Sequence, residues 1–255
     1  MKIRFTAIAA AAVVFLAMTT AATAHPKWQF GLKAGVNVSQ LRGDPAGLWL
    51  SGPDFEVAGA LLDNETGFIG GGYGRYQVGP KFALQIDALY SRKGGKGNVF
   101  GTAVIHGENN IIYNATITGE MSADLDYLEF PFLAMITLPA AEGVSFVPYA
   151  GLSVGVLVQA NTRITGKAEI PLQDLTTRVV DFDEAYDIKS RVSDYEGQFL
   201  LGASVEWNTK HGRFIIDGRY SISLSTIDDS GENDVHNSVL SLMAGFAWGK
   251  GEEVE

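Results

Sequence analysis

The chain of 255 residues contains no cysteine. A disulfide framework, a thiolate metal site and a lipid anchor on cysteine are therefore excluded. Lys and Arg are outnumbered by Asp and Glu, 19 against 29, and an acidic chain is a poor candidate for nucleic-acid binding. After residue 24 no apolar run reaches the length of a membrane helix. If this part of the chain enters a membrane, it must do so as β-strands.

The one long apolar stretch lies at the N-terminus and predicts a secretory signal peptide. Lys2 and Arg4 give it a basic start, the apolar segment AIAAAAVVFLAM follows, and Ala22–Ala24 supply the small-x-small cleavage pattern. The segment is short for a membrane anchor, which needs about 20 apolar residues. We therefore expect residues 1–24 to be removed and the exported chain to begin at His25.

Polar and apolar residues alternate in eight segments of the exported chain, which predicts eight β-strands. In WQFGLKAGVNVSQ, Trp28 begins the apolar face and Lys33 lies on the polar face. The segment VPYAGLSVGVLVQANT is much longer than the five or six residues of a typical strand. Its alternation predicts that Ser153, Gln159 and Asn161 share one polar face.

Short turns and long polar loops alternate between these segments. The predicted turns contain typical turn residues and lie at Gly79–Pro80, Pro139–Gly143 and Asn208–Gly212. Long loops are expected near 42–66, 92–123 and 162–194, with a shorter one near 225–237. Short turns at one end and long loops at the other are typical of outer-membrane barrels, in which the turns are periplasmic.

The sequence thus predicts an all-β fold. A sheet in lipid must close, because lipid tolerates no open edge. We expect an eight-stranded antiparallel up-and-down transmembrane β-barrel over residues 25–249, with short periplasmic turns and long extracellular loops. Residues 250–255 are expected to form a short acidic periplasmic tail.

A soluble lipocalin-type barrel also has eight alternating strands, but its apolar face points inward around a ligand. The polar faces here carry few charges, whereas a water-facing surface normally carries more. Aromatic residues also collect beside the short turns, as in the interfacial girdles of membrane barrels. The predicted girdle consists of Trp28, Phe30, Tyr76, Phe82, Phe146, Trp207, Phe214, Phe246 and Trp248. The apolar faces are therefore expected to contact lipid.

Five segments resemble the PorT-like outer-membrane β-barrel family: FGLKAGVNVSQLRGD, LQIDALYSRKGG, YLEFPFLAMI, PYAGLSVGVLV and GRYSISLSTI. They occur in order between Trp28 and Trp248, over nearly the whole exported chain. The resemblance implies an eight-stranded barrel in the outer membrane of a Gram-negative bacterium and assigns no activity. Outer-membrane barrels usually end on an aromatic residue that the assembly machinery reads, whereas GKGEEVE follows Trp248 here.

The inward face of an eight-stranded barrel surrounds a space that side chains can fill. Buried charges must be paired, because an unpaired one costs several kcal/mol. Seven charged residues of both signs are predicted to face the lumen: Lys33, Arg75, Asp87, Glu129, Glu206, Asp217 and Arg219. We expect them to form an ion-pair network that plugs the lumen. A narrow ion or proton path along the same groups is the alternative.

One basic cluster, formed by Arg92, Lys93 and Lys96, is predicted at the outer rim. Cations at that level lie beside the phosphates of lipopolysaccharide and are favourable there. We therefore expect these three side chains to contact lipopolysaccharide and to anchor the barrel.

His236 and Ser238 are two residues apart, so a strand would place both on one face. Outer-membrane lipid A deacylases resemble this arrangement with a His-x-Ser pair and a carboxylate that orients the base. The corresponding position here is Lys250, which leaves Asp87 or Glu232 as candidates. A polar strand start is the simpler interpretation.

The sequence favours a non-enzymatic structural or interaction role. Outer-membrane lipids, lipopolysaccharide and the barrel-assembly machinery are the expected partners, and the protein is expected to be a monomer. Neither a cofactor nor a metal site is predicted, because the acidic segment IDDSGENDVH lacks the spacing of a calcium loop. A narrow transport channel and a lipid-modifying enzyme are the two alternatives.

Overall fold

The computed structural model describes residues 28–43, 51–52, 55–59, 63–106, 112–171, 176–229 and 234–248. The predicted signal peptide, His25 and the predicted tail at 250–255 lie outside these residues. No helix in the described part of the chain is long and apolar enough to cross a membrane. The strands there are β1 (Trp28–Arg42), β2 (Ser51–Gly52), β3 (Phe55–Gly59), β4 (Asp63–Gln77), β5 (Phe82–His106), β6 (Ile112–Ile136), β7 (Leu138–Ala141), β8 (Val144–Pro171), β9 (Thr177–Asp187), β10 (Tyr195–Thr209), β11 (Gly212–Ser223) and β12 (His236–Trp248).

Eight of the strands close into a ring of antiparallel neighbours, in the order β1, β4, β5, β6, β8, β10, β11 and β12. Following the paired residues once around the ring from Gln29 leads back to β1 at Ser39, ten residues further along. Such a constant stagger tilts the strands and is what closes a barrel. The predicted eight-stranded antiparallel barrel is confirmed.

Side chains alternate between the two faces of the ring, and the apolar face is the outer one. Leu152 is 58% exposed, whereas Ser153 beside it is 3% exposed. The same contrast separates Leu242, which points outward, from Met243, which is buried. The barrel is therefore apolar outside and largely polar inside, the reverse of a water-soluble barrel.

The two ends of the ring differ. At one end, which we call the turn end, short connections join β4 to β5, β6 to β8 and β10 to β11. Gly143 has a φ of +69° in one of these turns, a left-handed conformation that favours glycine. At the opposite end, the loop end, three strands continue well beyond the others: β5 and β6 have 25 residues each and β8 has 28.

The extended strands form what we call the outer sheet, made of β3, residues 95–106 of β5, 112–125 of β6, 160–171 of β8, and β9. The prediction of irregular loops over 92–123 and 162–194 is therefore wrong for most of those residues. One face of the extended β5 and β6 stays buried, at residues such as Val99 and Met121, whereas both faces of β9 are exposed. The alternation that reveals a half-buried strand is therefore absent from β9.

A β-bulge separates the barrel part of β8 from its extension. The pairing of β6 with β8 shifts between Asp126 and Tyr127, with one extra residue on β8. An extra residue reverses which side chains point inward. Ala160 and Thr162 are consequently buried, at 0% and 2% exposure, so the predicted inward orientation of Gln159 and Asn161 is wrong.

An apolar core closes the loop end of the lumen, and we call it the cap. Two connecting segments fold across the opening and bring Ile188, Val192 and Ile227 into it. They are joined where the Ser193 amide donates to the Ile227 carbonyl at 2.9 Å. The other members come from the strands and from Val235: Leu41, Val99, Met121, Ala123, Leu125, Tyr127, Leu157 and Ala160.

Candidate functional site: the lumen of the barrel

The lumen holds three ion-paired clusters, and the first lies near the turn end. Arg75 donates two hydrogen bonds to the carboxylate of Glu206, at 3.0 and 2.8 Å. Arg213 donates a third to the same carboxylate at 2.9 Å, and the Ser204 hydroxyl donates a fourth at 3.1 Å. We call these residues the turn-end cluster. Glu206 is thus shared between two guanidinium groups.

The central cluster joins four strands, β1, β5, β8 and β11, of which no two are neighbours in the ring. Lys33 Nζ on β1 lies 2.8 Å from Asp87 on β5 and 2.9 Å from Asp217 on β11. Arg219 Nη2 lies 2.8 Å from the same Asp87 oxygen, and the Tyr149 hydroxyl donates to Asp217. Two cations and two carboxylates therefore balance each other here.

Gln85 connects the turn-end and central clusters. Its carbonyl oxygen accepts a hydrogen bond from Arg75 Nε at 2.9 Å, and its amide donates to Asp87 at 2.7 Å. Because Arg75, Gln85 and Asp87 are buried, water cannot replace these contacts when one partner is removed.

The cap-side cluster lies next to the cap. Lys93 Nζ pairs with Glu129 and, at 3.0 Å, with Glu196. Glu196 also accepts hydrogen bonds from Ser223 at 2.7 Å and from Asn237 at 2.8 Å. Gln198 also donates to Glu196, at 2.8 Å, and the residues of this cluster come from five strands.

All seven charged residues predicted for the lumen lie on the inward face, and the structure distributes them over the three clusters. Sequence reasoning missed Lys93 and Glu196. Lys93 has the same parity along β5 as the inward Asp87, and Glu196 has the same parity along β10 as Gln198. That spacing was the signal that could have found both. With Arg213 added, the clusters contain five cations and five carboxylates.

The rings of Tyr73, Tyr127 and Tyr149 fill the space between the charges. Lys33 and Arg75 lie 5.5 and 5.8 Å from the centre of the Tyr73 ring, and Lys93 lies 5.0 Å from that of Tyr127. A cation at this distance is attracted by the ring face. Glycine makes the room: a Cβ at Gly31 would lie 2.6 Å from the Tyr73 ring.

The nine residues of the predicted aromatic girdle lie at the turn-end limits of their strands. Several of the rings contact each other. The Trp28 and Phe30 rings stack with centres 5.9 Å apart, and Phe246 meets Phe214 at 5.0 Å and Trp248 at 5.6 Å. A ring of aromatic side chains with an apolar band above it matches the interfacial level of a membrane barrel.

Residues 21–229 match the model of the family described as "Outer membrane protein beta-barrel domain". The chain belongs to this family. It is a protein of the Gram-negative outer membrane, with its apolar outer face in lipid, its turn end periplasmic and its loop end extracellular.

Solved outer-membrane barrels resemble the chain at low identity. Ail from Yersinia pestis is 16% identical, with a TM-score of 0.38, over 87% of this chain and 99% of that chain. OprG from Pseudomonas aeruginosa is 15% identical, with a TM-score of 0.34, over 88% and 96%. Neisserial surface protein A is 11% identical, with a TM-score of 0.38, over 85% and 96%. No curated protein matches the chain.

The three residues of the predicted basic cluster lie on different faces of β5. Lys93 is buried in the lumen, so its predicted contact with lipopolysaccharide is wrong. The reason is the alternation along β5, which turns Lys93 inward and leaves Arg92 and Lys96 on the outward face. Arg92 is paired with Asp126 at 2.8 and 3.3 Å, and Lys96 is exposed.

His236 and Ser238 bond to different partners. The two ring nitrogens of His236 lie 2.8 Å from Asp234 Oδ1 and 3.1 Å from the Ser225 carbonyl oxygen. The Ser238 hydroxyl lies 2.7 Å from that of Tyr220. A nucleophile needs a hydrogen bond to its base, and this geometry gives Ser238 none. Asp87 lies in the lumen, and Glu232 is outside the described residues. Within those residues, no group of three or more acidic or histidine side chains is arranged to hold a metal ion.

Proposed function

We propose that this protein is a closed, non-enzymatic barrel that holds the outer sheet at the cell surface for interaction with another molecule. One observation carries the proposal. Ion-paired side chains fill the lumen along its length, and the cap covers its extracellular end. The barrel then serves as an anchor, and the part that meets other molecules lies outside the membrane.

The charge balance of the lumen supports a plug rather than a conducting path. An ion could pass the central cluster only by separating Lys33 and Arg219 from Asp87 and Asp217. Separating a buried pair exposes an uncompensated charge, which costs about 3–5 kcal/mol. Beyond the clusters, the cap offers apolar side chains that cannot replace the water around an ion.

The bonding of His236 and Ser238 supports a non-enzymatic role, since the hydroxyl and the imidazole are not joined. We further propose that Arg92 and Lys96 contact lipopolysaccharide phosphates from the outward face, in a monomer inserted by the barrel-assembly machinery. The five sequence segments between Trp28 and Trp248 support placing the chain among the PorT-like members of its family.

Single-channel recording of the refolded protein in a planar bilayer tests the proposal. We expect the wild type to be silent, with folding verified by its heat-dependent shift in gel mobility. The double variant Arg219→Ala/Glu129→Ala removes one charged side chain from the central cluster and one from the cap-side cluster. The surface variant Arg163→Ala is the control. Discrete conductance steps in the wild type that change in the double variant but not in the control would replace the plugged barrel with a transport channel.

A further inference from the structure

β9 forms a long and exposed strand edge on the extracellular side of the barrel. β9 pairs with β8 from Asn161–Asp187 to Pro171–Thr177. No described strand pairs with its other side. Ten of its 11 residues are exposed and one, Phe182, is half-buried. A strand edge of this length presents a row of unpaired main-chain donors and acceptors, to which another extended chain can add.

The edge is acidic at the end nearest the barrel and apolar towards its tip. Asp181, Asp183, Glu184 and Asp187 fall within seven consecutive residues, whereas Val179 and Val180 precede them. Of these four carboxylates in the described part of the chain, Asp183 is the one that forms an ion pair, with Arg163 at 2.7 Å. An added strand would therefore meet uncompensated carboxylates along one half of β9.

We infer that β9 binds, by strand addition, an extended segment of another protein that carries lysine or arginine at alternate positions. Opposite charges on facing residues of paired strands stabilise the pair, and like charges destabilise it. Side chains alternate between faces along a strand, so basic residues two apart would face Asp181 and Asp183 from one side. Apolar residues of the segment would lie on the other face, against Val180 and Tyr186, which are 38% and 52% exposed. The inference rests on the proposed function, since it names the partner of the outer sheet.

A second copy of the chain fits this edge poorly. Copies in one membrane are related by rotation about the membrane normal, so their β9 strands would run in the same direction. Parallel pairing of identical strands sets each carboxylate beside the same or a neighbouring carboxylate of the other copy. The acidic half of β9 therefore opposes self-pairing and favours a basic partner.

The first experiment measures binding of a fluorescent peptide of alternating lysine and valine, as long as β9 (11 residues). The refolded full chain is kept in a zwitterionic detergent so that the peptide is not attracted to anionic lipid. We expect saturable binding, with slower hydrogen exchange at β9 amides. The same peptide with every main-chain nitrogen methylated should not bind, because neither of its edges can then donate hydrogen bonds to β9. Equal binding of both peptides would overturn strand addition.

Charge substitutions separate a β9 site from attraction to an acidic protein. The variant Asp181→Lys/Asp183→Lys should weaken peptide binding about tenfold, the effect of two facing charge pairs. The control Glu120→Lys/Glu142→Lys makes the same change in net charge at exposed positions on β6 and in a turn. It should bind like the wild type. Equal weakening in both variants would overturn the site.

Self-association is tested with Val179→Cys, a clean probe because the chain has no other cysteine. We expect no disulfide-linked dimer in lipid vesicles, and an efficient one would overturn the choice of partner. Absence of peptide binding by a silent, folded barrel overturns this inference alone. Conductance of the wild type instead overturns the proposed function.

Discussion

Two parts of the same lumen are filled in opposite ways. The periplasmic and central parts contain ion pairs such as Arg75–Glu206 and Lys33–Asp87, whereas the cap contains side chains such as Leu125 and Ile227. Both kinds of side chain exclude water from the lumen, but a substitution has a different consequence in each part. An ion pair that loses one partner leaves a buried charge, while an apolar contact that is lost leaves a cavity.

The largest effect is expected from Arg219→Met in the central cluster. The substitution leaves Asp87 and Asp217 with Lys33 as their shared cation, and breaking a buried pair costs about 3–5 kcal/mol. Urea unfolding of the refolded protein in micelles measures the loss. Arg213→Met is the matched control, because Glu206 then keeps Arg75. An equal loss in both variants would contradict the distinction between clusters.

A slightly smaller effect is expected from Leu125→Ala in the cap. Leu125 is fully buried, and such truncations cost about 2–5 kcal/mol through lost burial and the remaining cavity. Leu242→Ala removes the same atoms from the lipid-facing surface, where lipid can fill the space. Unfolding midpoints should fall further for Leu125→Ala. The reverse order would show that the cap is loosely packed.

A third prediction concerns the room that glycine leaves for tyrosine. A Cβ at Gly202 would lie 2.5 Å from the Tyr149 side chain, whereas a Cβ at Gly197 would meet no atom within 4 Å. Gly202→Val should therefore destabilise the barrel by about 1–3 kcal/mol through overpacking. Gly197→Val, on the same strand, should leave the unfolding midpoint nearly unchanged. Similar losses in both would point to strand propensity instead.

The smallest effect is expected outside the membrane, at Arg163→Ala. Hydrogen bonding from Arg163 lowers the pKa of the Asp183 carboxyl below its ordinary value. Such a pair contributes stability above the unfolded pKa and loses it as pH falls through the folded pKa. Both side chains are exposed, so hydrogen exchange near Asp183 should rise slightly at neutral pH and match the wild type in acid. A large loss of barrel stability would contradict this.

The sequence predicted the barrel and much of its lumen because lipid imposes a strict alternation on each spanning strand. The alternation alone places Lys33, Asp87 and Arg219 on the inward face. The alternation does not predict that Lys33 contacts both Asp87 and Asp217, because pairing across the lumen depends on the stagger of the whole ring.

The cap and the outer sheet could not be predicted in the same way. The bulge in β8 reverses parity between Leu157 and Ala160, and a single extra residue carries no mark in composition. Ile188 and Ile227 lie in connecting segments, where the sequence pattern does not predict which residues an apolar side chain contacts. In the outer sheet, β9 faces water on both sides, so it has no period of two.

Lys33 has a consequence for the order of assembly. Its two carboxylate partners are on β5 and β11. In the ring, β4 separates β1 from β5 and β12 separates β1 from β11, so both contacts require β1 to be paired with β4 and with β12. An open sheet that has not joined its first and last strands cannot make both contacts. The pairing of β1 with β12 therefore also completes the central cluster, whose contacts then stabilise the closed barrel. Closure of this chain should be an all-or-none event rather than a gradual zipping of its last two strands.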